Sequence, residues 1–242
     1  MTILHKAWLV IPRQLRLDIR RVLVAVFPSR FTEWLRNDMG FGAIKKVYVE
    51  KGCLLVHVPK TAGTSLGKAL YGFEGIGHYT AMELRDLSPE LYSRLFVIGF
   101  VRNPWDRLVS AYFFVVQAES STVRVDKNTK ALVDGYGSFR AFVVEWLASV
   151  DMRVAPIIFR PQYFFLCDEN EKLIVDFVGH VETIDEDVKK IAAQLGREHI
   201  VLPRINQSSR GSYRDYFDEE MRDIVGRVYE KDIKFFGYGF DG

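Results

Sequence analysis

Residues 59–65 read PKTAGTS, a lysine, a glycine and three hydroxyls set between the apolar run CLLVHV at 53–58 and a helical pattern at 66–71. Such a loop suits a phosphate or another anion. Backbone amides at a helix N-terminus present partial positive charge, and Lys60 adds a full one. The ordinary nucleoside-triphosphatase loop is broken here, because Val58 stands where its first glycine belongs and Thr64 where its lysine belongs. No carboxylate ends the next apolar run, residues 96–101, to hold Mg²⁺; Arg102 stands there instead. The pattern therefore describes an anion site that works without a metal, against the plain alternative of a tight turn with an exposed lysine. Arg102 opens a second candidate. With Asn103 capping the helix that follows, positions 103, 106, 107 and 110 share one face, so Ser110 can join Arg102 on a second anion.

The elements that must hold these residues follow from the surrounding pattern. Residues 53–58 and 96–101 read as strands buried on both faces, each running into a helix, which is the signature of a parallel sheet flanked by helices. A capping box of Thr80 and Glu83 starts one helix, and Ser88 with Pro89 starts another. Trp105 is expected to pack inside the helix after Asn103. Residues 119–138 are polar and form the loosest segment, a candidate lid. A helix is expected over 139–148, a hairpin of 163–166 with 173–177, a capping box of Thr183 and Glu186 before a helix ending near Gly196, and a last helix behind Asp218.

Length and composition bound the rest. The chain has 242 residues, 48% apolar and 26% charged, which fits one soluble α/β domain with a small extension and excludes disordered and collagen-like classes. Its 33 Lys and Arg against 31 Asp and Glu leave a net charge of +2, so no polycation is present to bind nucleic acid nonspecifically. Cys53 and Cys167 belong to no metal-like cluster, and a reducing compartment is expected. The apolar runs at 8–11 and 22–27 are too short to span a bilayer. From Leu15 the positions Leu15, Ile19, Val22, Leu23 and Val26 follow helical spacing among arginines; the helix is expected to pack on the domain, with peripheral membrane contact through residues 1–30 as the alternative.

PKTAGTS followed by FVRNPWDRLVSAY at 100–112 resembles the two cofactor motifs of sulfotransferases, in particular the carbohydrate group related to heparan sulfate 2-O-sulfotransferases. Weaker similarity continues through RPQYFFL, VDFVGHVETIDEDV and LPRINQSSRGSYRDYF. The resemblance implies a P-loop-like three-layer α/β domain over 47–242, behind a basic helical extension at 1–46. It implies PAPS (3′-phosphoadenosine 5′-phosphosulfate) as donor, with Lys60, Thr61, Ala62, Gly63, Thr64 and Ser65 on its 5′-phosphosulfate, and Arg102 and Ser110 on its 3′-phosphate. Arg210 and Tyr213 would close over the nucleotide, and Gln162 is a secondary candidate for contact with the acceptor, a carbohydrate or small hydroxylated compound. Eukaryotic members of that group are typically anchored in the Golgi; this sequence shows no such anchor, and a soluble, cytoplasmic, bacterial enzyme is expected.

Transfer to a hydroxyl needs a base, and histidine titrates nearest neutrality. His57 lies in the apolar run and is expected to be structural; His180 and His199 fall near element ends, and His5 near the start. His78, between the two anion turns and just before the Thr80 cap, is the expected base, as the resemblance also implies. Glu83 is the alternative, although its spacing marks it as a cap. A P-loop-like kinase and a noncatalytic module that holds a nucleotide or a glycan are the rival readings.

Overall fold

The computed structural model describes residues 46–242 apart from 74, 119–124 and 204–210, together with Leu15, Ile19 and Val22. Most of the basic extension, the first part of the expected lid and Arg210 lie outside the described residues. Leu15, Ile19 and Val22 are helical as their spacing predicts. Leu15 and Val22 are 51% and 61% exposed, and Ile19 is half-buried.

Three strands, β1 (Cys53–Val56), β2 (Phe96–Val101) and β3 (Phe177–His180), form one parallel sheet in that order. Leu54 pairs with Val97, and Ile98 with Phe177. Every residue of β1 is buried, which is why CLLV carries no polar alternation. Parallel strands need crossover connections, and helices supply them. Between β1 and β2 run α2 (Gly63–Tyr71), α3 (Ala81–Leu87) and α4 (Pro89–Arg94), after a short α1 (Lys46–Lys51) that leads into β1. Between β2 and β3 run α5 (Pro104–Val116), α6 (Lys127–Gly135), α7 (Phe139–Ala141), which continues as a π-helix over Phe142–Leu147, and the single turn α8 (Tyr163–Leu166). After β3 come α9 (Ile184–Gln194), α10 (Glu219–Val228) and α11 (Glu230–Phe236). The result is the expected α/β architecture, a parallel sheet with helices around it.

Local signals held where the chain itself satisfies them. Thr80 and Glu83 form the reciprocal capping box, and Asn103 Oδ1 accepts from the amides of Trp105 and Asp106. Three expectations are revised, the first for a tertiary reason. The 163–166 segment is a helical turn, not a strand, because the buried Asp232 carboxylate accepts from both Gln162 and Tyr163 amides at 2.8 Å; only a Cys167–Leu173 bridge remains of the hairpin. Thr183 makes no side-chain cap: it ends a 3-10 turn with ψ of 28° rather than the extended backbone of an N-cap, and its hydroxyl donates to Asp187. Within the expected lid, residues 127–135 are helix α6, capped by Asp126.

Two apolar clusters divide the interior. One surrounds the sheet; the other gathers Trp105, Leu108, Val109, Ala111, Tyr112 and Val115 of α5 against the π-helix and α10. Helix α5 is thereby fixed along one side, and its remaining edge carries Asp106, Ser110 and Phe114 at intervals of four, continuing the line from Arg102.

Candidate active site

Residues 59–65 leave β1 and enter α2 through a backbone that alternates hand. Lys60 and Ala62 have φ of 68° and 60°, left-handed values that turn successive amides toward one concavity, the arrangement that binds anions. Thr61 Oγ1 donates to Val58 O at 2.9 Å, so its side chain ties the loop and only its backbone is left to a ligand. Gly63 is required by contact rather than by conformation: a Cβ there would sit 1.8 Å from His57 Cδ2. The His57 ring thus lies directly under the loop.

The His57 and His78 rings lie in contact, tilted by 37° with centroids 4.2 Å apart, and His78 Nδ1 lies 3.0 Å from the His57 carbonyl. A carbonyl only accepts, so Nδ1 is the donor in that contact. Burial, reinforced by His78, lowers the His57 pKa to about 3, and the ring under the loop is neutral. His180 is structural as expected, with Nε2 against Phe236 O, and Glu83 serves as the cap.

At the end of β2 the Arg102 guanidinium is held by Asp106, through Nε at 2.7 Å and Nη2 at 2.6 Å. Its backbone is clamped as well. Gln162 Oε1 accepts from the Arg102 amide at 2.9 Å while Gln162 Nε2 donates to the Arg102 carbonyl at 2.8 Å. Gln162 is fully buried, so it supports Arg102 and cannot reach an acceptor. Asp232, which fixes Gln162 in turn, has its pKa raised by burial, against the opposing charge of Arg107 and the amides it accepts. Trp105 is packed as expected, its indole donating to Arg222 O.

A cavity of about 950 Å³ unites these parts. Lys60, Ala62, Gly63, Thr64, Ser65, His78, Arg102 and Ser110 all line it, as does Tyr213, whose hydroxyl donates to Phe240 O. Thr61 does not line it, and Arg210 lies outside the described residues. Sequence reasoning missed Asp106, Phe114, Asp126 and Asp185 on the wall. The four-residue spacing that found Ser110 also runs through Asp106 and Phe114; Asp126 and Asp185 carry no such signal. Lys60 Nζ sits 3.9 Å above the Phe114 ring, a cation–π contact that draws the lysine toward α5 and thus toward the second motif. Two cationic side chains, a concavity of amides and an imidazole on one cavity wall can hold a ligand with two anionic ends beside a hydroxyl.

Residues 47–239 match a family described as the sulfotransferase family. An uncharacterized protein of Archaeoglobus fulgidus is 32% identical over 126 residues, which is 52% of this chain and 88% of that protein. Carbohydrate sulfotransferase 10 of Xenopus laevis is 24% identical over 190 residues, covering 68% of this chain and 53% of that relative, so the match spans about half of its length. No solved structure matches. Among the described residues no helix is long and apolar enough to cross a membrane.

Proposed function

We propose that this chain, which belongs to the sulfotransferase family, moves the sulfuryl group of PAPS onto a hydroxyl of a carbohydrate or similar small acceptor. The observation that carries the reading is the single cavity onto which both anion turns and His78 open. The residues suit such a donor: left-handed Lys60 and Ala62 shape a concavity of amides at the N-terminus of α2, and Arg102 stands at the end of the neighbouring strand. PAPS supplies the sulfuryl group and a phosphate that leaves.

Lys60 and the amides of residues 61–65 hold the phosphosulfate and stabilise the charge that grows on the bridging oxygen as its bond to sulfur breaks. Arg102 and Ser110 hold the 3′-phosphate, with the guanidinium already oriented by Asp106. His78 Nε2 takes the acceptor's proton as the acceptor oxygen bonds to sulfur. The neutral His57 keeps a second positive charge away from that imidazole, so proton uptake by His78 meets no like charge from its neighbour.

Calorimetry with the product PAP tests the donor assignment. Arg102→Ala is expected to weaken PAP about 10–150-fold, corresponding to ~1.5–3 kcal/mol for hydrogen bonds to a charged group. Unchanged affinity would remove the assignment of Arg102. Transfer from radiolabelled PAPS to a panel of glycans and small alcohols tests the activity itself.

A further inference from the structure

Lys60 carries the charge of the first anion turn, and a second element of the fold decides where that charge stands. A lysine ammonium rides on a long flexible stem, and from a loop it spreads through many rotamers. Here it is collected by a ring. Lys60 Nζ lies 3.9 Å from the centroid of Phe114 on α5, and both residues line the cavity. We propose that Phe114 is a positioning residue for the donor, an aromatic platform that holds the Lys60 ammonium ready for the 5′-phosphosulfate; this rests on the donor reading above.

The contact is electrostatic as well as apolar. The face of an aromatic ring is negative, so it attracts a cation in a way that an aliphatic side chain of similar bulk does not, and more strongly as water is displaced. Ring and donor do not compete for the lysine. The ammonium N–H groups turned away from the ring remain able to donate to phosphate or sulfate oxygens. By narrowing the rotamers of Lys60 before a ligand arrives, the ring also lowers the entropy cost of binding. Its own place is firm, because Tyr112 and Val115 of the same helix are buried in the second apolar cluster, while Phe114 is only half-buried. Arg102 is held in a parallel way. Asp106, about two turns earlier on the same edge of α5, grips its guanidinium at 2.6 Å. One helix edge thus steadies the cations of both anion turns, the first through a ring and the second through a carboxylate.

The test compares two ligands by calorimetry: PAP, and adenosine 3′-monophosphate, which lacks the 5′-phosphate that Lys60 would meet. Phe114→Leu is expected to weaken PAP about 2–30-fold while adenosine 3′-monophosphate stays within about twofold. Mono-, di- and trifluorinated phenylalanine at position 114 keep the shape of the ring while draining its negative face, so PAP affinity should fall stepwise along that series. This second set also covers the case of a leucine variant that does not fold. In Lys60→Ala the same replacements should leave PAP affinity unmoved, since the partner of the ring is gone. Four results overturn the proposal: native PAP affinity in Phe114→Leu, a flat fluorinated series, a loss shared equally by adenosine 3′-monophosphate, or a loss that persists in Lys60→Ala. Failure of the native protein to bind PAP overturns the donor reading, and this inference with it.

Discussion

Replacing Gly63 by alanine should damage both stability and turnover, because the added methyl enters space that the His57 ring occupies. The Cβ would lie 1.8 Å from His57 Cδ2 and 2.0 Å from Nε2. Carbon atoms settle at about 3.5 Å or more, so the ring or the loop must give way by roughly 1.7 Å. The His57 ring lies against His78, centroids 4.2 Å apart, and cannot retreat that way without moving it. Overpacking of this kind costs ~1–3 kcal/mol, and the ~0.5–1 kcal/mol that alanine returns within a helix is an upper limit at the first helical position. For a domain of this size the Tm should fall by about 2–12 °C. If His78 is the base, a displacement on the order of 1 Å should lower kcat about 10²-fold. Thermal melts and transfer assays read the two effects, and the double variant His57→Ala with Gly63→Ala isolates their cause. With the ring removed the methyl meets no obstacle, so the stability costs should be non-additive by ~0.5–3 kcal/mol. A Gly63→Ala protein with ordinary Tm and rate would refute the contact, as would an equal stability cost with and without the His57 ring.

Lys60→Ala should lower kcat by about 10²–10³-fold, the scale for loss of one preorganised group that stabilises transition-state charge, while circular dichroism shows an intact fold. His78→Ala should lower kcat by about 10²–10⁴-fold and leave PAP affinity within twofold, which separates a base from a donor-binding group. Stability should also depend on pH through His57. Its pKa is near 3 in the folded chain and ~6.5 when unfolded, so between those values the unfolded chain binds the extra proton and stability falls as pH falls. The loss should reach about 2 kcal/mol between pH 7.5 and pH 5, above the range in which ordinary carboxylates titrate. A Tm profile as steep in His57→Phe as in the native protein would contradict it.

What could be read from the sequence depended on the range of the interaction. PKTAGTS announces its chemistry because its backbone geometry, its lysine and the helix start all lie within seven residues. Arg102 is legible as the residue that ends a buried strand, Ser110 by counting along the helix that follows, and Thr80 with Glu83 by a local box. The turn at 163–166 escaped for the opposite reason: its amides are claimed by Asp232, about seventy positions away in the chain. The same distance hid the function of Gln162. Nothing in RPQYFFL says that this amide will grip the backbone of residue 102. Thr183 and Glu186 have the spacing of a box, yet Thr183 ends a 3-10 turn and its backbone is not extended as an N-cap requires.

The long-range contacts that the sequence conceals are the ones that hold Arg102 in place. Arg102 follows the last residue of β2, beyond the paired register of Val101 with His180. Its peptide groups would have no strand partner there. Gln162 provides both halves of that pairing through one side chain, and Asp232 pins Gln162 from α11. Asp106, one turn into α5, then fixes the direction of the guanidinium. The backbone of Arg102 is therefore placed by the core and its side chain by the helix, before any ligand arrives. A phosphate that binds there need not order the arginine, which lowers the entropy cost of recognition. On the proposed donor reading, the Asp106 carboxylate preorganises the arginine that an anion would use.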